Sequence, residues 1–214
     1  VPPCTLEITD AETFARDWTV IDVNSDVSAN TWAYNDGNAM YTQDKSNAAD
    51  DWLIAPAVTL EAGKAYKVSA YVKHSSTFGS DKQKIELKIG TAPTVEGLTT
   101  RLVYDESFQS RLFVEKSGTF SPAESGVFYV GLRCYSESYN GDLYFQKIVI
   151  EEAPVYPAQI TDLSIVAGER GAMSATLSWT WPSSDHLGGA LSNLLGAKIY
   201  RGTDLVATLD TATV

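Results

Sequence analysis

The fold is decided by one stretch, Asp50-Asp51-Trp52-Leu53-Ile54-Ala55-Pro56-Ala57-Val58-Thr59-Leu60, which is followed by Gly63-Lys64-Ala65-Tyr66. The short apolar run is typical of a β-strand. A proline inside such a run is confined to a strand edge or a bulge, because it cannot donate a ladder hydrogen bond. We therefore predict a strand that lies against a core and is then turned at Pro56, at a corner of a sheet.

Apolar and polar residues alternate in three further stretches, as in antiparallel strands with one buried and one solvated face. These stretches are residues 66–73, 84–90 and 127–135. The inward-facing positions that the alternation predicts are Tyr66, Val68, Ala70, Val72, Ile85, Leu87, Ile89, Phe128, Val130, Leu132 and Cys134. One short helix is expected before them, with Asp10 as its N-cap and with Phe14 and Trp18 on one face.

Residues 50–60 resemble the hallmark of the cleaved adhesin family, the β-sandwich modules of gingipain-type surface proteins. In that family D-x-W-L-I-x-P-x-[IV]-x-L precedes a Gly-x-x-Tyr strand. Residues 120–132 resemble a second hallmark, F-x-P-x-x-[SG]-G-x-[FY]-Y-[IV]-G, and residues 143–150 resemble the closing strand. Two landmarks in this order, with short strands between turns, imply a jelly-roll β-sandwich over residues 1–152.

A second domain is expected after a proline-bearing linker at residues 153–158. Residues 159–214 resemble the first three strands of a fibronectin type III module, whose L-x-W-x-x-P signature is present as Leu177, Trp179 and Pro182. The later strands of such a module are missing, so we expect an incomplete domain within a mature fragment of a longer protein. The predicted fold class is all-β, a jelly-roll β-sandwich plus a partial fibronectin type III-like β-sandwich.

Asp22, Asn24 and Asp26 have a D-x-N-x-D spacing, which brings three oxygen-bearing side chains within reach of one calcium ion. Cleaved adhesin modules carry a similar acidic run, usually ended by glycine where this chain has Val27. An EF-hand is excluded, because its sixth and twelfth positions would be Val27 and Ala33 rather than Gly and Glu. The same residues form Asx-turns without any ion. Two hypotheses for these residues are therefore open: they bind a structural calcium ion, or they only form Asx-turns.

Composition excludes two classes of partner. Acids outnumber bases 27 to 16, and the net charge of -11 opposes binding to nucleic acid. No apolar run approaches the ~20 residues of a membrane-spanning helix, so the chain is not expected to be membrane-embedded. Cys4 and Cys134 have no metal-ligand or CxxC spacing. A buried free thiol at Cys134 is favoured, and a long-range disulfide is the alternative.

The sequence lacks catalytic motifs, and we predict that the protein is not an enzyme. It contains no G-x-S-x-G, H-E-x-x-H or P-loop pattern. Its two histidines, His74 and His186, lie in or beside polar loops, where solvent-facing side chains are expected. Asp50 and Asp51 are neighbours on a strand and point to opposite faces, so they cannot flank one glycosidic bond.

Binding is better supported, because 11 tyrosines and 5 tryptophans are available to hold sugar rings or anchor a protein partner. Trp32 and Tyr34 follow the acidic loop, and Tyr135 and Tyr139 lie in a polar turn of the kind found at the end of a sandwich. These four residues are the candidate ligand-binding residues.

The resemblance implies an adhesion module of a larger bacterial protein, secreted or on the cell surface. Its partners would be host glycoprotein or polysaccharide, together with other domains of the same polypeptide. The alternative is a structural spacer attached to a surface protease or glycoside hydrolase.

Overall fold

The computed structural model describes residues 1–25, 30–186, 188–191 and 194–210, and β-strands make up nearly all of their regular structure. The all-β prediction is confirmed. The chain forms two compact units, Val1–Ala153 and Pro154–Val214. Among the described residues, no helix has the length and apolar character that crossing a membrane requires.

The described part of the first unit consists of one helix and a series of short strands. In chain order they are β1 (Cys4–Glu7), α1 (Ala11–Asp17), β2 (Thr19–Asp22), β3 (Trp32–Asn35), β4 (Asn38–Tyr41), β5 (Asp51–Ile54), β6 (Val58–Leu60), β7 (Ala65–His74), β8 (Gln83–Gly90), β9 (Thr100–Phe108), β10 (Val114–Phe120), β11 (Gly126–Cys134) and β12 (Leu143–Ala153).

These strands form two antiparallel sheets. The first has the order β10-β7-β12-β4-β3, with β1 also paired to β12, and the second has the order β2-β5-β11-β8-β9, with β6 also paired to β11. Apolar side chains from both sheets form one core, as in a β-sandwich. Every inward position that the alternation predicts is buried, which confirms the faces assigned to β7, β8 and β11.

Strand β5 is buried on both of its faces. Leu53 joins the main core, whereas Trp52 and Ile54 point to the other side of the sheet and pack against Leu98. Gly131 on β11 allows this close approach, because a Cβ there would lie 2.4 Å from a methyl carbon of Leu98. The segment 91–99 therefore acts as a cover that gives the second sheet a small second core.

Pro56 lies at the break between β5 and β6, and both strands pair with β11. Ala55 keeps a ladder hydrogen bond across the break, from its N–H to the carbonyl oxygen of Val130 at 2.8 Å. The predicted turn at a corner of the sheet is wrong, because the chain is interrupted at Pro56 and then continues along the same neighbouring strand, β11. Proline is tolerated there because no ladder bond depends on its missing N–H.

Helix α1 begins where the sequence predicts. Asp10 is extended, and its carboxylate accepts a hydrogen bond from the Thr13 N–H at 2.7 Å. Phe14 and Trp18 are buried, and the Trp18 ring meets the Phe145 ring edge-on with centroids 5.3 Å apart. The N-cap and the apolar face together attach this short helix to the sandwich.

Both cysteines are free thiols, so the disulfide alternative is not what the structure shows. Cys134 is fully buried, and this burial raises the pKa of its thiol to about 12. Burial also raises the pKa of the Cys4 thiol. Cys134 therefore acts as a small core residue and not as a nucleophile.

The described part of the second unit contains two separate antiparallel hairpin sheets. Its strands are β13 (Ser164–Ala167), β14 (Ala175–Ser178), β15 (Gly196–Arg201) and β16 (Asp204–Asp210). Pro157 forms an isolated bridge with Asp185, and the rings of Tyr156 and His186 stack with centroids 3.6 Å apart. The resemblance of this unit to fibronectin type III stays a prediction.

Replacing Leu98 tests the cover over β5. We expect Leu98→Ala to lower the free energy of unfolding by about 3 kcal/mol, because it opens a cavity over Trp52 and Ile54. Leu112→Ala is the matched control, because this leucine is exposed and its loss should change stability by less than about 0.5 kcal/mol. Urea denaturation measures both values, and equal effects would show that segment 91–99 does not form a core.

Candidate functional site

Loops at one end of the first unit enclose a shallow depression of about 260 Å³, called here the end-loop depression. Its lining residues come from the segments 43, 75–81 and 139–141, which are far apart in sequence. They are Gln43, Ser75, Ser76, Thr77, Phe78, Asp81, Tyr139 and Gly141.

Two exposed aromatic rings lie at this depression. Phe78 is 70% exposed and Tyr139 is 64% exposed, although both could have been expected to bury their rings. Tyr139 also has a backbone φ of +64°, a left-handed conformation that costs a residue with a side chain about 1–2 kcal/mol. A hydrogen bond from its N–H to the carbonyl oxygen of Asp44, at 2.8 Å, holds it there. Strained residues of this kind concentrate at functional sites.

Polar groups lie beside the rings. The carboxylate of Asp81 accepts hydrogen bonds from the hydroxyls of Ser76 at 2.5 Å and Ser80 at 3.0 Å. The Ser76 hydroxyl also accepts a bond from the Phe78 N–H at 3.1 Å, so the carboxylate and the aromatic residue share one turn. The side-chain amide of Gln109 donates to the carbonyl oxygens of Phe78 and Asp81 at 2.9 and 3.0 Å, which fixes the loop from its other side.

The floor of the depression depends on the buried side chain of Gln83. Its Nε2 donates to the carbonyl oxygens of Asn140 and Gly141, at 3.1 and 2.6 Å. Its Oε1 accepts from the hydroxyl of Ser136 at 2.5 Å and from the thiol of Cys134 at 3.3 Å. One amide thus donates to two carbonyl oxygens of the turn that carries Tyr139.

Gly141 allows the loops to meet. Its φ is +82°, and a Cβ at this position would lie 2.8 Å from the His74 ring and 2.9 Å from the Ser76 Cβ. Its N–H donates to the side-chain oxygen of Gln43 at 2.8 Å. Asp142 links the segments that contain Gln43 and Ser75. Its carboxylate accepts from the Gln43 N–H at 3.0 Å, and its own N–H donates to the Ser75 hydroxyl at 2.7 Å.

Asp44 organises the third loop. Its carboxylate accepts hydrogen bonds from the N–H groups of Ser46 at 2.6 Å and Asn47 at 3.0 Å and from the side chain of Asn30 at 2.6 Å. The backbone bonds from Ser46 and Asn47 are the main reason that the pKa of Asp44 lies below its usual value. The Asp44 carboxylate therefore stabilises the loop whose carbonyl holds Tyr139 in place.

The prediction of a solvent-facing His74 is wrong. The side chain is buried at the end of β7, and its Nε2 lies 2.5 Å from the carbonyl oxygen of Asn140. Because a carbonyl oxygen accepts, Nε2 carries the proton in this contact. Its Nδ1 is buried without a hydrogen-bond partner among the described residues. His74 supports the depression from beneath and does not line it.

The structure separates the four aromatic residues that the sequence offers as ligand-binding residues. Tyr139 lines the end-loop depression, and Tyr34 is half-buried against the main core. Tyr135 stacks on Tyr104 with ring centroids 5.9 Å apart and is not a lining residue. Trp32 must be corrected: it is 2% exposed, and its ring meets that of Tyr41 edge-on in the core, so it has no face open to a ligand.

The calcium hypothesis rests on residues that are only partly described. Asp22 accepts a hydrogen bond from the Ser25 N–H at 2.6 Å, which is an Asx-turn contact, and Asn24 donates its amide to the Ala48 carbonyl oxygen at 2.7 Å. Asp26 lies outside the described residues. Within residues 1–25, 30–186, 188–191 and 194–210, no group of three or more His, Cys, Asp or Glu side chains could hold a metal ion. Calcium at Asp22, Asn24 and Asp26 stays a prediction.

Sequence reasoning missed Phe78, Gln43 and Asp81. The signal for Phe78 was present, because it is the one large apolar side chain within the polar loop of residues 75–81. Gln43 carried no signal, since its place beside Gly141 depends on a contact between residues 98 positions apart.

The comparisons with known proteins give a fold and no function. No protein-family model matches the chain, and no curated protein matches it. Among solved structures, the chain is similar to the K3 cleaved adhesin domain of Lys-gingipain from Porphyromonas gingivalis, with 12% identity, a TM-score of 0.50 and coverage of 68% of this chain and 98% of that one. The K1 domain of the same protein is similar at 15% identity and a TM-score of 0.50, covering 71% of this chain and 99% of that one. At such identities the likeness shows a related β-sandwich fold alone.

Replacing Gln83 tests the floor of the site. We expect Gln83→Met to lower the free energy of unfolding by about 2 kcal/mol, because the buried Gly141 carbonyl and the Ser136 hydroxyl each lose a partner, while the Asn140 carbonyl keeps only its contact with His74. Gln159→Met is the control, since that glutamine is exposed. Chemical denaturation measures both. A Gln83→Met protein as stable as the control would show that the amide does not hold the turn.

Chelation tests the calcium hypothesis. If an ion binds at Asp22, Asn24 and Asp26, EDTA lowers the melting temperature and added calcium restores it, because a ligand of the native state must stabilise that state. Asp22→Asn should then remove the response to EDTA. A melting temperature that is the same with EDTA and with calcium would leave turn chemistry as the role of these residues.

Proposed function

We propose that this chain is a non-catalytic binding module whose first unit holds carbohydrate at the end-loop depression. The observation that carries the proposal is the pair of exposed rings, Phe78 and Tyr139, on a rigid floor beside the carboxylate of Asp81. Sugar rings have apolar faces and polar edges. Aromatic side chains contact the faces, and hydrogen-bonding groups nearby contact the edges.

The rigidity of the loops that form the depression supports this proposal as much as the aromatic and polar residues that line it. The three segments that form the depression are linked by hydrogen bonds from Gln83, Gln43 and Asp142. A loop surface that is already ordered loses little conformational entropy when a ligand binds. Exposed aromatic rings on such a surface gain from covering apolar area that water otherwise contacts.

The proposal of a non-catalytic role also rests on the depression. Hydrolysis of a glycosidic bond uses two carboxyl groups on opposite sides of that bond. Among the lining residues of the depression, all of which are described, Asp81 is the single carboxylate. The chemistry of the lining residues therefore favours holding a sugar over cleaving one.

The sugar would belong to a polysaccharide or to a host glycoprotein, and the role would be adhesion by a secreted or cell-surface protein. A module that binds glycans on other cells must lie outside its own cell, which is the basis for proposing an extracellular location. We further propose that the second unit, with a fibronectin type III-like arrangement, connects the binding unit to other domains of the same polypeptide.

A glycan array probed with the 214-residue chain tests this function. We expect binding to at least one oligosaccharide, weakened about tenfold or more by Phe78→Ala and by Tyr139→Gly, because each removes an aromatic face. Tyr139→Gly should keep or raise the melting temperature, since glycine adopts φ of +64° without strain. Titration calorimetry on the strongest array ligand gives the affinities.

Tyr200→Ala is the matched control, because this tyrosine is 56% exposed and belongs to the second unit. Binding should be unchanged in this variant. If the chain binds no glycan on the array, or if all variants bind equally well, the proposal is contradicted. Either result would favour a structural spacer beside a protease or glycoside hydrolase domain.

A further inference from the structure

We infer that the end-loop depression selects uncharged sugars over acidic ones, and that Asp81 is the residue that determines this specificity. The inference rests on the proposed carbohydrate-binding function and adds the class of ligand. Its basis is the distribution of charge and of free hydrogen-bonding capacity around the depression.

The formal charge of the lining residues is negative. Asp81 is the one charged side chain among them, and they contain no lysine, arginine or histidine. Asp142 and Asp44 add two more carboxylates directly behind the lining, where they hold the Gln43 and Ser46 backbone. A sulfate or carboxylate group on a sugar would therefore approach like charges, with a net charge of -11 on the chain as a whole.

Two lysines that are close in sequence to Asp81 do not reverse this balance. Lys84 is paired with the carboxylate of Glu137 at 2.7 Å. Lys82 follows Asp81 in the chain and is exposed, but it is not a lining residue. An exposed lysine outside the lining gives little attraction compared with a carboxylate held in the lining.

The carboxylate of Asp81 is placed to accept hydroxyl groups. Each of its oxygens receives one serine hydroxyl, from Ser76 on Oδ2 and from Ser80 on Oδ1. A carboxylate oxygen has two acceptor positions, so each oxygen keeps one for a ligand. Two neighbouring hydroxyls of a sugar ring fit such a pair of acceptors, whereas an anionic group has no proton to donate to it.

Gln43 supplies the complementary donor. Its side-chain oxygen accepts from the Gly141 N–H, which orients the amide group. Its Nε2 has no hydrogen-bond partner in the part of the chain that the structure describes, and Gln43 lines the depression. The depression thus offers acceptors at Asp81, a neutral donor at Gln43 and aromatic faces at Phe78 and Tyr139, which together match an uncharged polyhydroxyl ligand.

The test uses pairs of glycans that differ only in an acidic group. The probes are N-acetyllactosamine with and without a 6-sulfate, and cellohexaose with and without oxidation of its 6-hydroxyls to carboxylates, together with the strongest array ligand and its sulfated form. We expect the full chain to bind the neutral member of a pair at least about tenfold more tightly at low ionic strength. Raising the salt concentration should narrow this ratio, because exposed charges are then screened.

Asp81→Asn removes the charge and keeps an acceptor for Ser76. It should weaken binding of the neutral glycan and reduce the preference for neutral over acidic members by about tenfold. Asp204→Asn is the matched control, because it makes the same change of net charge at an exposed position of the second unit and should leave the ratio unchanged. Melting temperatures of both variants confirm that they are folded.

The two hypotheses fail in different ways. Acidic members that bind as tightly as neutral ones, with binding still lost in Phe78→Ala, would overturn the inference and leave the binding function standing. A preference for neutral glycans that is the same in Asp81→Asn and in Asp204→Asn would also overturn it. Absence of glycan binding by the unmodified chain would overturn the proposed function itself.

Discussion

A single buried amide, that of Gln83, makes the end of the sandwich a structured surface. Loops that close over a hydrophobic core bring carbonyl groups with them, and each buried carbonyl needs a donor. Gln83 satisfies two of these carbonyls, at Asn140 and Gly141, and at the same time accepts from Ser136 and from the thiol of Cys134. Since the amide is buried among these contacts, the turn that carries Tyr139 is held by the core and not only by its own residues.

The double burial of β5 has a related consequence for where binding can occur. Trp52 and Ile54 fill the outer side of the second sheet beneath Leu98, so part of that face is already covered by segment 91–99. Beside this cover, Glu86 is buried and accepts from Arg101 at 2.6 Å, and Arg133 pairs with Asp50 at 2.7 Å. These four charged side chains thus form ion pairs with one another, whereas the aromatic rings of the end-loop depression are exposed to solvent.

The aromatic residues show which exposed positions a sequence pattern can predict and which it cannot. Tyr139 was predicted as a ligand-binding residue from its polar turn, and it does lie at an exposed position in a depression. Trp32 was predicted on the same basis, yet β3 pairs with β4 and carries its ring into the core against Tyr41. Both residues come from polar surroundings in the sequence, and what separates them is the pairing of Trp32 with Tyr41 across two strands, which a local pattern does not report. The same reason explains His74, which ends a strand beneath the turn of Asn140.

By itself the sequence determined the all-β class, the inward faces of β7, β8 and β11, the end of a strand at Pro56 and the capped helix α1. Each of these follows from a rule with a short range: a period of two, a missing N–H or a side chain that caps its own turn. Only the tertiary structure decided which aromatic rings stay exposed and which polar groups stand beside them. Those choices depend on contacts such as Gly141 with Gln43, between residues 98 positions apart, and such pairings are set by how the sheets pack and not by any neighbouring residue.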